Sequence, residues 1–99
     1  MHVTQLIYVR PGSEAAFEQF ESVVLPLLAR YRGELVLRLR LRPDNQIGGT
    51  AETPYELHIA RFATAADLEA YSNDPERQRW LHLKDQAVER AIMLSSPDG

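Results

Sequence analysis

Residues 35–62 read LVLRLRLRPDNQIGGTAETPYELHIARF, and a pair of strands joined by a loop is legible in them. Leu35, Leu37, Leu39 and Leu41 alternate with Val36, Arg38, Arg40 and Arg42, a period of two that sends the sets to opposite faces of an extended chain. The leucines are expected to face the core and the arginines to form a cationic outer row on an edge strand. From Tyr55 to Phe62, Tyr55, Leu57, Ile59 and Arg61 alternate with Glu56, His58, Ala60 and Phe62, so this segment pairs back as an antiparallel partner. The expected register sets Arg42 opposite Glu56, Arg40 opposite His58 and Arg38 opposite Ala60. Between the strands, residues 43–54 carry Gly48, Gly49 and terminal prolines that break both periodicities. They read as a mobile connection able to cover a pocket or reach a partner subunit.

On the N-terminal side, the segment from Val3 to Val9 holds Leu6, Ile7, Tyr8 and Val9, apolar on both parities, as a strand covered on both faces would be. Arg10, Pro11, Gly12 and Ser13 end it, with Ser13 placed to cap the next helix. Phe17, Phe20, Val24, Leu27, Leu28 and Tyr31 then share one helical face, with a kink expected around Val23 to Pro26 and the helix end at Gly33. Beyond the hairpin, Thr64 with Asp67 opens a short helix through Leu68 and Tyr71. Asp74 and Pro75 restart a helix carrying Trp80, Leu81, Lys84, Ala87 and Val88, and residues 91–94 close the chain as a last strand.

Strand, helix, strand, strand, helix, strand is the ferredoxin-like βαββαβ plan of the α+β class: a four-stranded antiparallel sheet with helices on one face. Residues 1–99 read as a single domain, since a chain of 11.3 kDa buries about 65% of its surface on folding. Helices cover one face of the sheet while the central strand is apolar on both. A second copy packed across a two-fold axis is the expected cover, hence a homodimer. With 11 basic and 14 acidic residues and a net charge of −3, the chain lacks the footprint of a nucleic-acid binder. The absence of cysteine excludes disulfides, thiolate chemistry and cysteine-rich zinc sites. Neither a signal peptide nor a membrane span is read, so a cytoplasmic protein with no membrane partner is expected.

The segments VRPGSEAAFEQF (9–20), VLPLLARYRGELVLR (24–38) and ARFATAADLEAYSNDPERQ (60–78) together resemble the dimeric α+β barrel superfamily. The small bacterial families of unknown function are nearest, with NIPSNAP-like proteins and antibiotic-biosynthesis monooxygenases more distant. The most specific residues are Phe62, Thr64, Leu68, Tyr71, Asp74, Pro75 and Gln78, with Pro26, Gly33 and Arg38 in support. The resemblance implies two sheets packed into a dimeric barrel and a cavity between sheet and helices in each subunit.

Candidate chemistry rests on Arg, His and Tyr. His58, within a strand, and Arg40 are the candidate catalytic pair, a base and an anion-stabilising donor. Arg38, Tyr8, Tyr71 and Trp80 are the candidate ligand-binding residues, guanidinium for a carboxylate or enolate and aromatic rings for a flat body. Tyr55 is a further aromatic candidate. A charged edge strand, a hydrogen-bonded interface histidine and core aromatics are the competing structural readings. His2, His58 and His82 are too dispersed in sequence for a metal-binding motif, so neither metal nor cofactor is expected. The leading functional reading is a small homodimeric domain that binds a small planar or anionic organic ligand. The alternatives are a cofactor-free monooxygenase or isomerase acting on a phenol or enol, and a structural dimer without ligand.

Overall fold

A computed structural model describes residues 1–96. The chain runs β1 (His2–Val9), α1 (Glu14–Val24), β2 (Gly33–Arg40), β3 (Glu56–Phe62), α2 (Ala65–Ser72), α3 (Pro75–Ala87) and β4 (Val88–Ser96). The strands form one antiparallel sheet in the order β2-β3-β1-β4. This is the ferredoxin-like topology expected from the alternation, with β2 on an edge and β1 inside.

Local chemistry explains most element ends. α1 stops at Val24, and the chain tightens into a 3-10 helix over Leu25–Tyr31 with Pro26 in its first turn. Proline has no amide to continue an α-helical ladder, so the expected kink is this change of helix type. Thr64 accepts the Asp67 amide at 3.2 Å, and Asp74 accepts the amides of Glu76 and Arg77 at 2.8 and 3.0 Å, so both expected caps form. Ser13 departs from the expectation: its side chain makes no cap bond, and its backbone carbonyl accepts the Phe17 amide instead. Gly33 departs too. The left-handed residue ending the 3-10 helix is Arg32, at φ 56°, and Gly33 opens β2 against Phe62. A Cβ there would lie 2.9 Å from Phe62 Cε1 and 3.0 Å from the Leu28 carbonyl oxygen, so only a glycine lets the two segments close.

The hairpin register differs from the sequence reading by two residues. Arg40 faces Glu56 and Arg38 faces His58, while a bulge between Leu35 and Leu37 inverts the parity of β2. That bulge reverses the expected faces. Leu35 points beneath the helices, but Leu37 and Leu39 point to the open face and are 40% and 43% exposed. The arginine row runs under the helices.

Reading across the sheet, Leu39, Leu57, Leu6 and Ile92 form one row of the open face, and Leu37, Ile59, Thr4 and Leu94 the next. On the helix side the rows are Arg40, Glu56, Ile7 and Ala91, then Arg38, His58, Gln5 and Met93, then Leu35, Ala60, Val3 and Ser95. Val3, Leu28 and Phe62 make one buried apolar cluster; Ile7, Phe17 and Ala87 make another. A polar row therefore runs between two apolar clusters, and the site lies on it.

Residues 43–54 are more organised than a mobile connection. Pro43–Asn45 form a short 3-10 turn, Gln46 donates to the carbonyls of Gly49 and Ala51, and Thr53 donates to Gln46. Among the described residues no helix is long and apolar enough to cross a membrane.

Candidate functional site

α1 places Phe17, Phe20, Glu21 and Val24 on its buried face, at i, i+3, i+4 and i+7. α3 brings Arg77 and Lys84 to the same space, and β3 and β1 supply His58 and Gln5 from below. Between them lies a cavity of about 80 Å³. Its walls are chiefly apolar and its polar groups few, the usual composition of a small-molecule site.

His58 is 8% exposed. Its Nε2 lies 2.7 Å from Gln5 Oε1, and a carbonyl oxygen can only accept, so Nε2 carries the hydrogen. Gln5 is held in that orientation by its amide, which donates to Met93 Sδ at 3.5 Å. Burial lowers the imidazole pKa, outweighing the attraction of Glu56, and Arg38 lowers it further. The ring is therefore neutral, with its lone pair on Nδ1. The nearest carboxylate oxygen, Glu56 Oε2, is 3.7 Å away, and Nδ1 has no hydrogen-bond partner.

Glu21, 4% exposed, is the unexpected member. Burial first, then the Glu56 charge, push its carboxyl from 4.5 up to about 7, and its Oε2 also lacks a partner. Tyr71 is pushed up to about 12, mainly by burial, and its hydroxyl donates to the Val24 carbonyl at 3.1 Å. It serves as a neutral wall.

Glu56 is fully buried and satisfied: Arg38 Nε donates to it at 2.9 Å and Arg40 at 3.3 Å. Both arginines also bond Glu18. The proposed anion binders of the sequence reading are thus already neutralised by carboxylates. Arg40 additionally lies over the Tyr55 ring, 4.2 Å from its centroid. Donor atoms of Glu21, Glu56 and His58 lie within 4.8 Å of one another, a set whose types suit a divalent cation. Glu56 is already held by two guanidinium groups, and Arg38 and Arg77 both act on Glu21. Those guanidinium groups disfavour a further cation, and Glu21 holds its proton in spite of them, through burial and the Glu56 charge.

Of the residues singled out in the sequence, His58 and Tyr71 line the cavity. Arg38 and Arg40 sit beside it in the ion-pair network. Tyr8 lies elsewhere: its hydroxyl donates to the Glu52 carbonyl at 2.9 Å and Arg90 covers its ring. Trp80 stacks on His82 along α3 with ring centroids 6.2 Å apart and does not reach the cavity. Tyr55 meets Phe17 edge to face. Glu21, Gln5 and Arg77 escaped the sequence reading and Lys84 entered it as a helix position alone, although Glu21 interrupts an otherwise apolar stripe and Arg77 and Lys84 are seven apart on one helix. Among the described residues, Glu21 Oε2, His58 Nδ1 and Arg77 Nε are the buried side-chain polar atoms without a partner. All three residues line this one cavity.

No family model and no curated protein matches the chain. Solved structures do. A protein of unknown function from Rhodopseudomonas palustris has 22% identity and a TM-score of 0.77, over 99% of this chain and 82% of that one. A NIPSNAP family protein with unknown function from Agrobacterium tumefaciens has 18% identity and a TM-score of 0.68, over 94% of this chain and 82% of that one. A dimeric protein of unknown function with a ferredoxin-like fold from Bacteroides fragilis has 16% identity and a TM-score of 0.65, over 94% and 90%. At these identities the likeness shows the fold. It agrees with the resemblance to small bacterial and NIPSNAP-like proteins read from the sequence.

Proposed function

We propose that this protein binds a small organic molecule in the cavity between α1, α3 and the sheet, and that it works as a homodimer. The observation that carries the first part is the convergence of the unpartnered Glu21 Oε2, His58 Nδ1 and Arg77 Nε on one cavity. Buried polar atoms are almost always paired, because each lost bond costs about 1–3 kcal/mol. A ligand with an apolar body and a polar end would satisfy them while Phe17, Phe20 and Val24 contact the rest. The second part is supported by the two open-face rows, apolar apart from Thr4, and by the dimeric neighbour of the same fold. A second copy of the same sheet is the self-complementary cover for such a face.

The test is a thermal-shift screen of small phenols, amides and carboxylates on the wild type and on Ala60→Leu, which fills the cavity from β3. A ligand at a hundred times its dissociation constant is expected to stabilise the wild type by about 2.7 kcal/mol, and Ala60→Leu to lose that response. If no compound is cavity-dependent, the reading fails. A second reading is enzymatic, as a cofactor-free isomerase or monooxygenase on an enol or phenol. It is supported by the fixed tautomer of His58, whose free Nδ1 can take a proton beside the Glu21 carboxyl. Deuterium incorporation or oxygen uptake with a bound ligand, lost in His58→Ala, is its expected signature; turnover unchanged in that variant removes it.

A further inference from the structure

We infer that the ligand is a small monocarboxylate, its anionic end held by Arg77 and Lys84 of α3 and its apolar chain by Phe17, Phe20 and Val24 of α1. This rests on the binding role proposed above and names the ligand class. The cations explain the choice. Arg38 and Arg40 are spent on Glu18 and Glu56, whereas Arg77 and Lys84 line the cavity and, among the described residues, neither pairs with a carboxylate.

Arg77 is positioned rather than loose. Its Nη1 donates to the Ser72 carbonyl at 3.2 Å, and its guanidinium rests 5.2 Å from the Tyr71 ring centroid and 5.7 Å from that of Phe20. Those contacts leave Nε–H buried without an acceptor. Burial, and then the charge of Arg77, make Lys84 easier to deprotonate, the mark of two like charges sharing one low-dielectric space. A monoanion between them would relieve both. The Glu21 carboxyl, largely protonated below about 7, would add a donor to the same anion, and a carboxylate accepts several donors at once. The 80 Å³ of the cavity has room for about six water-sized groups, a carboxylate with a short apolar chain.

The experiment is a titration of the full-length protein with butyrate and, separately, butyramide, followed by 15N-resolved shifts of the cavity residues. Butyrate is expected to shift Arg77 Nε–H and to bind about tenfold or more tightly than the uncharged amide, as one charge-assisted hydrogen bond would give. Lys84→Met is expected to remove most of that advantage, so that butyrate and butyramide then bind about equally. Arg77→Gln should do the same, with Arg77→Lys retaining part of it. Because Arg77 also packs on Phe20 and Tyr71, Lys84→Met is the cleaner variant. Equal binding of butyrate and butyramide at the cavity would overturn the carboxylate inference and leave the binding role standing. Butyrate binding that survives Lys84→Met and Arg77→Gln would overturn it as well. If neither compound shifts cavity residues, the inference and the binding role fall together.

Discussion

A carboxyl group that folding pushes from 4.5 to about 7 makes stability depend on pH in a direction opposite to most acidic residues. The folded protein holds the Glu21 proton more tightly than the unfolded chain does. Below about pH 4.5 the group is protonated in both states and costs nothing. As pH rises from there, the unfolded chain ionises freely while the folded one resists, and stability falls until the folded group also ionises near 7. Above that the loss is constant. Its full size is the 2.5-unit difference between the two values at 1.36 kcal/mol per unit, about 3 kcal/mol. Glu21→Gln keeps the shape and removes the titration, so it should gain on the wild type between pH 5 and pH 8 by about 2 kcal/mol. Urea unfolding of both proteins at the two pH values measures this directly, as a relative midpoint shift of roughly 1–2 M. Other titrating groups are common to both proteins and cancel in the difference. A difference that stays constant over that range, or a Glu21→Gln protein that is the less stable at pH 8, would refute the claim that Glu21 is buried and unpaired.

Other consequences concern the frame of the site. Gly33→Ala should cost about 1–3 kcal/mol by overpacking, because the new methyl meets Phe62 and the Leu28 carbonyl; calorimetry of Gly33→Ala with and without Phe62→Leu should show partial recovery in the double variant. Asp74 has its pKa held low chiefly by the Tyr31 hydroxyl and by the Arg77 amide, so the stability it adds is present at neutral pH and lost as pH falls through that lowered value. The melting temperatures of wild type and Asp74→Ala should therefore converge in acid. Leu39→Glu, at the β2 end of an open-face row, should yield a monomer by light scattering with unchanged far-ultraviolet circular dichroism; a dimer of undiminished stability would mean that the second copy packs elsewhere.

The strands and helices were legible because their periodicities are strong, and Asp74 and Thr64 announced their helices by cap chemistry. Faces were less legible. The alternation of β2 is the same whether its leucines point to the helices or to a second copy, and the bulge after Leu35 leaves no mark on it. The expected Arg42 to Glu56 pairing and the observed Arg40 to Glu56 pairing satisfy the same charge rule, so charge could not choose the register. His58, which lines the cavity, stands out in the sequence because a histidine inside a strand is conspicuous. Tyr8 and Trp80 were misplaced because an aromatic ring fits a core, a loop contact or a cavity equally well. Glu21 carried the clearest missed signal: a carboxylate on the stripe of Phe17, Phe20 and Val24 must either be protonated or have a partner.

In the binding role proposed above, His58 presents a free Nδ1 to a cavity that takes a ligand. Long-range proton–nitrogen correlation of the His58 ring is the deciding measurement, first in the free protein and then with saturating butyramide, whose N–H group can donate to a bare ring nitrogen. A hydrogen on Nε2 and a bare Nδ1 are expected in the free protein, with the Nδ1 resonance moving on addition of butyramide. A hydrogen on Nδ1, or a ring indifferent to every compound that binds, would contradict it.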